Sequence, residues 1–165
     1  MKIDNDPNWG SHLPVLIKII GMTKGDVLEM GMGLYSTPFL HWACFPDRKL
    51  VSYENDLNCF NMNKQYNRDH HQALYVGNWD KADIDKFWDV IFIDHAPSSR
   101  RIIDIKRIAN MANYIIIHDT QRNYKFCNYK EIWPLFKYRY DYTKAIPWTS
   151  VVSNFIDLSK LGGEL

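Results

Sequence analysis

Five short apolar runs alternate with helix-like segments along most of the chain, and this alternation restricts the fold more than any other feature. The runs are rich in Val and Ile, and they lie at residues 26–30, 49–54, 73–78, 88–94 and 114–119. The segments between them carry apolar residues at helical spacing, most clearly in SSRRIIDIKRIANMA at 98–112. Strands that are apolar throughout and alternate with helices are typical of a parallel sheet covered on both faces. We therefore expect a doubly wound α/β sheet.

The end of the chain changes character. The runs KYRYDYTKA (137–145) and TSVVSNFIDL (149–158) are separated by the turn-like IPW, so they are expected to pair antiparallel as a hairpin. YKEIWPLF (129–136) predicts a short helix before the hairpin, and SHLPVLIKIIGM (11–22) predicts a helix before the first strand. The predicted fold is one Rossmann-like domain over 1–165, mostly parallel, with a C-terminal antiparallel hairpin.

Composition narrows the classes of function. The chain is 46% hydrophobic and 24% charged, which indicates a globular domain. Twenty basic residues nearly balance nineteen acidic ones, so neither nucleic acid nor an anionic membrane is an expected partner. The three cysteines lack metal-ligand spacing and are expected to be free thiols. Without an apolar N-terminal segment or a run of 18 apolar residues, we expect a cytoplasmic protein.

The end of the first predicted strand has the composition of a ligand site. In VLEMGMGLYSTPFL (27–40), Gly31 and Gly33 would let the backbone approach a ligand, and Ser36 and Thr37 can donate hydroxyls or cap a helix. In doubly wound sheets ligands bind beyond the carboxyl ends of the strands. The alternative interpretation is a tight turn without a ligand.

A second carboxylate supports a nucleoside ligand. Glu54 ends the second predicted strand, where a carboxylate accepts bonds from both ribose hydroxyls, although a solvated helix cap is the alternative. Ser36 stands where a dinucleotide fingerprint has its third glycine. Glu29 would repel a pyrophosphate and suits a ligand that carries an ammonium group.

The E-x-G-x-G order, Glu54 and the terminal hairpin together resemble the class I S-adenosylmethionine-dependent methyltransferases. The segments VSYENDLNCF (51–60), WDVIFIDH (88–95) and YIIIHDT (114–120) are similar to catechol O-methyltransferase and related small-molecule O-methyltransferases. The resemblance implies S-adenosylmethionine as the cofactor. The residues that it implies for cofactor binding are Glu29, Gly31, Gly33, Tyr35, Ser36, Thr37, Glu54, Asn55, Asn78 and Trp79.

Within that set the resemblance implies separate roles. Residues 29–37 would line the methionine part, Glu54 would hold the ribose, and Asn55 and Asn78 would lie beside the adenine. Trp79 would stack on the adenine ring, or else pack as a rim aromatic on a neighbouring helix.

The resemblance implies a substrate side at the ends of the fourth and fifth strands. The candidate catalytic residues there are Asp94, His95, His118 and Asp119. Asp94 and Asp119 correspond to two Mg²⁺ ligands of the metal-dependent members. Thr120 stands where that family has an asparagine ligand, and Pro97 stands where it has a catalytic lysine, so the metal stays open.

The two histidines are alternative bases. His95 and His118 are each expected to act as a base near neutral pH. The two His–Asp pairs end adjacent strands, so both are expected to face the same rim of the sheet. A structural histidine at a strand end is the competing interpretation for each. Arg100 and Arg101 are candidates for gripping an anionic substrate or for covering a helix surface.

The N-terminal NWGSH (8–12) is expected either to fold over the cofactor, with Trp9, Ser11 and His12 touching it or the substrate, or to end in an N-cap at Ser11.

Taken together, these features predict a methyltransferase that acts on a small molecule at oxygen, and they leave open whether the protein forms a homo-oligomer. The alternatives are a cofactor-binding module without turnover and a nicotinamide-dependent oxidoreductase. The neutral charge and DHAP at 94–97 argue against a nucleic-acid methyltransferase of the amino type.

Overall fold

A computed structural model describes residues 6–121 and 127–163. Seven strands form one sheet in the order β3-β2-β1-β4-β5-β7-β6. The strands are β1 (Val27–Met30), β2 (Leu50–Glu54), β3 (His71–Tyr75), β4 (Trp88–Ile93), β5 (Ala112–His118), β6 (Tyr138–Tyr142) and β7 (Thr149–Ser153). Strands β1 to β5 pair in parallel, whereas β7 lies antiparallel to both β5 and β6. The predicted α/β sheet with its antiparallel hairpin is confirmed.

The helices are α1 (Leu13–Met22), α2 (Ser36–Cys44), α3 (Leu57–Asn63) and α4 (Ser98–Ile108). Asp56 begins α3 as its N-cap, because its carboxylate accepts bonds from the backbone N–H groups of Asn58 (2.8 Å) and Cys59 (2.9 Å). None of the helices in the described ranges is both long and apolar enough to cross a membrane.

Three elements differ from the sequence prediction. The third strand begins at His71 rather than in the run at 73–78, and the segment after it forms a single 3₁₀ turn, Trp79–Lys81, instead of a helix. Aspartates recur through that segment and compete for backbone bonds, which disfavours an α-helix. The segment at 129–136 forms two 3₁₀ turns, Tyr129–Glu131 and Trp133–Leu135, because Pro134 cannot donate within a continuous helix.

Alternating strand residues build one apolar core on each face of the sheet. On one face Leu28 packs in a cluster with Ile105 of α4, and on the other Val27 packs in a cluster with Leu16 of α1. Because successive side chains of a strand point to opposite faces, each of the strands β1, β2, β4, β5 and β7 contributes to both cores. The polar ends of the strands are left at the carboxyl edge of the sheet.

Candidate functional site

The site lies at the carboxyl ends of β1, β4 and β5. The strand order reverses at β1, which lies between β2 and β4. Parallel sheets bind ligands at such a switch point. Five segments meet there: the β1–α2 turn, the end of β2, the loop after β4, the loop after β5, and the N-terminal segment.

The first turn depends on Gly31. Its backbone has φ +96°, and a Cβ atom at this position would lie 2.6 Å from the backbone N of His95 and 2.7 Å from the backbone C of Asp94. Only glycine fits such a position. Gly33 is different, because its Cβ would meet only Ser36 Oγ at 3.4 Å. Gly31 therefore closes the turn onto β4, whereas Gly33 leaves space beside the backbone.

Glu29 lies beneath the turn rather than at its surface. The side chain is fully buried, and the hydroxyl of Thr37 donates to its carboxylate oxygens at 3.0 and 3.1 Å. The backbone N–H of Gly33 donates to that same hydroxyl at 2.9 Å. Burial raises the pKa of Glu29 to about 7, against the lowering effect of its hydroxyl partners. Glu29 thus positions the β1–α2 turn indirectly, through the hydroxyl of Thr37.

The neighbouring turn residues are anchored as well. The phenol of Tyr35 donates to the backbone oxygen of Asp6 at 3.3 Å, which ties the turn to the N-terminal segment. Ser36 is buried at the start of α2.

Glu54 is held at the end of β2 by three backbone donors. The N–H of Met32 donates to one carboxylate oxygen at 2.8 Å, and the N–H groups of Asn55 and Asp56 donate to the other at 2.8 and 2.7 Å. The carboxylate therefore joins the β1 and β2 turns. Beside it, Asn55 has a buried Oδ1 atom that finds no hydrogen-bond partner among residues 6–121 and 127–163. Buried acceptors of this kind are rare and indicate a missing donor, such as a bound nucleoside.

The structure does not place Trp79 in its predicted role of stacking on the adenine ring. Trp79 is 4% exposed, its indole N–H donates to the Ala96 backbone oxygen at 3.0 Å, and its ring lies 4.2 Å from the ring of His95. This arrangement agrees better with the alternative of a packed aromatic. Asn78 is exposed, and its side chain caps the following 3₁₀ turn by accepting from the backbone N–H of Asp80 at 3.0 Å.

His95 does not share a rim with His118, so the expectation of two adjacent His–Asp pairs is wrong. The ring of His95 is buried, and its Nε2 lies 2.9 Å from the Asp104 carboxylate of α4. Arg100 donates to the same carboxylate at 2.9 and 2.8 Å. Burial lowers the pKa of His95 although Asp104 opposes this effect. His95 therefore fixes α4 to β4.

The structure does bring together the other three predicted residues, Asp94, His118 and Asp119, and Arg101 forms hydrogen bonds to all three. Its guanidinium donates to Asp94 Oδ1 at 3.0 Å and to Asp119 Oδ2 at 3.1 Å. Nδ1 of His118 lies 3.2 Å from Asp94 Oδ1. Burial by itself would lower the pKa of His118, but the nearby Asp94 and Asp119 raise it above its usual value. Burial alone would raise the pKa of Asp94, but His118 and Arg101 lower it to about 2.

The expected Mg²⁺ ligands do not fit that ion. Asp94 Oδ1 lies against a ring nitrogen of His118, and Arg101 bridges Asp94 and Asp119, so the surrounding groups are not the oxygen set that Mg²⁺ takes. Thr120 is buried, and its hydroxyl is hydrogen-bonded to that of Ser150 at 2.8 Å. Mg²⁺ requires several converging oxygen ligands. No step of the chemistry is therefore assigned to Mg²⁺.

The N-terminal segment folds onto the end of β5. The hydroxyl of Ser11 donates to the Pro147 backbone oxygen at 2.8 Å, and its oxygen lies 2.9 Å from Nε2 of His118. His12, not Ser11, is the N-cap of α1, and it makes no side-chain cap bond. Trp9 is about half exposed, at 49%. The segment thus contacts the predicted substrate side.

Arg101 is the residue whose role the sequence did not identify, although it was a candidate for two others. It is 4% exposed, so it neither grips a free substrate nor covers a helix surface. A signal for it exists: residues 101 and 104 lie at helical spacing from the buried Ile105 and Ile108, which places both charges on the core-facing side of α4.

Solved structures match this architecture over most of its length. An O-methyltransferase from Bacillus cereus in complex with SAH (S-adenosylhomocysteine) has a TM-score of 0.63 at 16% identity, covering 91% of this chain and 82% of that one. The chain has the class I methyltransferase fold. The N-terminal domain of human METTL16, also in complex with SAH, matches with a TM-score of 0.62 at 14% identity over 94% of this chain and 73% of that one.

The matches differ in the atom that is methylated. The N-methyltransferase NodS from Bradyrhizobium japonicum matches with a TM-score of 0.62 at 10% identity, covering 93% of this chain and all of that one. Neither a protein-family model nor a curated protein sequence matches the chain. The solved structures therefore establish the class I methyltransferase fold.

Proposed function

We propose that the protein is an S-adenosylmethionine-dependent methyltransferase that transfers a methyl group to the oxygen of a small molecule. The observation that carries the proposal is the meeting of the Gly31 turn, Glu54 and the Asp94–His118 pair at one edge of the sheet. Two of the matching solved structures hold SAH, which supports the cofactor. The near balance of 20 basic and 19 acidic residues supports a small acceptor over a nucleic acid.

The cofactor side is formed by the first two strand ends. The space beside Gly33 and the unpartnered Oδ1 of Asn55 fit an extended nucleoside ligand. Glu54 lies between them, and its carboxylate has acceptor capacity beyond its three backbone donors. When bound, the cofactor supplies a methyl group on a positively charged sulfur.

The acceptor side is formed by the ends of β4 and β5. Methyl transfer is an in-line displacement, so the protein has to orient the acceptor and remove its proton. Asp94 is the more exposed member of the pair, with 26% of its side chain accessible, against 5% for His118. An acceptor hydroxyl is therefore expected to donate a hydrogen bond to the Asp94 carboxylate, which orients it and is the group placed to take its proton. Arg101 fixes the carboxylate in place.

The first experiment tests the cofactor site. SAH is titrated into the full chain by calorimetry, with NADH as the ligand control. A Gly33→Leu substitution fills the space beside the turn and is expected to weaken SAH binding by at least about tenfold, which corresponds to about 1.4 kcal/mol. The backbone of Gly33 lies outside the left-handed region, so the variant is expected to fold.

Gly21→Leu is the matched control, since a Cβ there meets nothing within 4 Å, and it should bind SAH like the unchanged protein. Absence of SAH binding, or binding of NADH instead, would refute the proposal. If SAH binds, acceptors are screened by release of SAH from S-adenosylmethionine. Binding without turnover on every acceptor would favour the cofactor-binding module.

A further inference from the structure

His12 is a buried histidine without hydrogen-bond partners. It is 2% exposed, and neither ring nitrogen has a hydrogen-bond partner within the described residues. Its ring centroid lies 4.7 Å from that of Phe92 and 4.8 Å from that of His118, with the two imidazoles nearly perpendicular. Leaving a buried polar group unpaired costs about 1–3 kcal/mol. A histidine retained here therefore indicates that something else binds its nitrogen.

The hydrogen bonds of Ser11 fix the orientation of the proton on His118. A hydroxyl has one hydrogen, and Ser11 donates it to the Pro147 backbone oxygen at 2.8 Å. The contact of 2.9 Å between Ser11 Oγ and His118 Nε2 must then be donated by Nε2. Nδ1 consequently faces Asp94 Oδ1, 3.2 Å away, and a lone pair beside a carboxylate requires a cation between them.

Either a proton or a metal ion meets this requirement. The Nδ1 to Asp94 contact has the distance of an ion pair but not the alignment of a hydrogen bond. The 3.2 Å separation is close to the spacing of two adjacent ligands on one ion, given metal–ligand bonds of about 2.0–2.2 Å. One ligand atom from each of His12, Asp94 and His118 lies within 4.8 Å of the others.

The geometry points to a divalent transition-metal site formed by His12, Asp94 and His118. Two neutral imidazoles and one carboxylate suit Zn²⁺, Fe²⁺ or Co²⁺ rather than Mg²⁺. Both ring nitrogens of His12 are buried and have no hydrogen-bond partner within the described residues, so either one is free to bind a metal. Ser11 supplies the outer hydrogen bond that orients a metal-binding histidine.

The surrounding charges are compatible with the ion. Asp94 and Asp119 contribute two negative charges and Arg101 one positive charge, so the pocket is negative before an ion binds. The partial exposure of Asp94 leaves an approach for a further ligand. The site goes beyond the proposed methyl transfer, because it is defined and measured without the cofactor.

The experiment measures metal binding directly. The full chain, freed of metal with EDTA, is titrated with Zn²⁺ by calorimetry and with Co²⁺ by visible absorption. One ion per chain is expected, with Co²⁺ bands of a site of low coordination number. Asp94→Asn and His12→Leu should each weaken Zn²⁺ binding by at least about a hundredfold, which is about 2.7 kcal/mol. His12→Leu is nearly isosteric and removes two unpaired buried nitrogens, so it is expected to fold.

His41→Leu is the matched control, because His41 belongs to a separate buried group in which its Nδ1 lies 3.2 Å from His71 Nδ1. It should bind Zn²⁺ with unchanged affinity. The site is refuted if Zn²⁺ gives no saturable binding, as a bridging proton alone predicts, or if His12→Leu and Asp94→Asn retain it. Should one variant fail to fold by circular dichroism, the other decides. Retained SAH binding by both variants separates this outcome from failure of the cofactor site.

Discussion

The carboxylate of Glu29 is fully buried, and its role follows from that position. Its partner is the hydroxyl of Thr37, which in turn accepts the backbone N–H of Gly33. A carboxylate at the end of a first strand suggested direct contact with a ligand. The structure instead gives it an indirect role, in which it keeps the hydroxyl oriented toward the turn.

The raised pKa of Glu29 predicts a measurable dependence of stability on pH. The folded-state pKa is about 7 against a usual value of 4.5, so the folded chain binds this proton more tightly than the unfolded chain. Stability attributable to Glu29 is therefore full below pH 4.5 and is lost as the pH rises to about 7, by up to about 3 kcal/mol. Glu29→Gln should be the more stable protein at about pH 8, with the difference shrinking toward about pH 4.5.

Urea unfolding across this range measures the difference. Glu131→Gln is the control, since Glu131 is exposed and paired only with side chains at the surface. A constant difference between Glu29→Gln and the unchanged protein at all pH values would contradict the assignment.

Helix α4 holds the ends of β4 and β5 together through the hydrogen bonds of Arg101, which we call the Arg101 clamp. Arg101 donates to the backbone oxygens of His95 at 2.7 Å, Asp94 at 3.0 Å and His118 at 3.2 Å. The planar guanidinium is suited to this arrangement because its donors diverge in fixed directions. The clamp sets the distance between β4 and β5 at the point where the acceptor is expected.

Arg101→Lys tests the clamp. One ammonium group cannot reach both strand ends, so buried carbonyl and carboxylate oxygens lose their donors, and we expect a loss of about 2–4 kcal/mol in the free energy of unfolding. Arg107→Lys on the same helix is the control: Arg107 is partly exposed, and it pairs with Asp85 and donates to the backbone oxygen of Ala82 at 3.1 Å, both in the connection between β3 and β4, so about 1 kcal/mol or less is expected. Denaturant unfolding compares the two, and equal losses would show that Arg101 has no special role.

The elements were more predictable than the side-chain partners. Strand runs such as WDVIFID reveal themselves because a strand buried on both faces must be apolar along its length. The side chains of His95 and His118 point away from each other. This arrangement depends on Asp104, which lies nine residues beyond His95 in the next helix and binds the His95 ring. No pattern of spacing specifies which of two buried carboxylates an imidazole will choose. The contact of Ser11 with His118, across 107 positions, was likewise beyond local sequence reasoning.

At the scale of the whole molecule, one sheet separates two apolar cores that share every central strand. Leu16 of α1 and Ile105 of α4 are both fully buried, in clusters on opposite faces. Neighbouring residues of β4 belong to different clusters, with Phe92 in one and Ile93 in the other. Loss of one core therefore removes the support of the other, and unfolding should be a single cooperative transition.

Leu16→Ala and Ile105→Ala test this coupling from the two faces. Each deletes buried methyl groups and should lower the free energy of unfolding by about 2–5 kcal/mol. In each variant, far-ultraviolet circular dichroism and tryptophan fluorescence should still report one coincident midpoint. Ile17→Ala on α1 and Ile103→Ala on α4 are matched controls, since these side chains are 51% and 55% exposed, and changes of about 0.5 kcal/mol or less are expected. Separate transitions in either core variant would mean that the two faces of the sheet unfold independently, and that the site at its edge can lose one wall while the other remains folded.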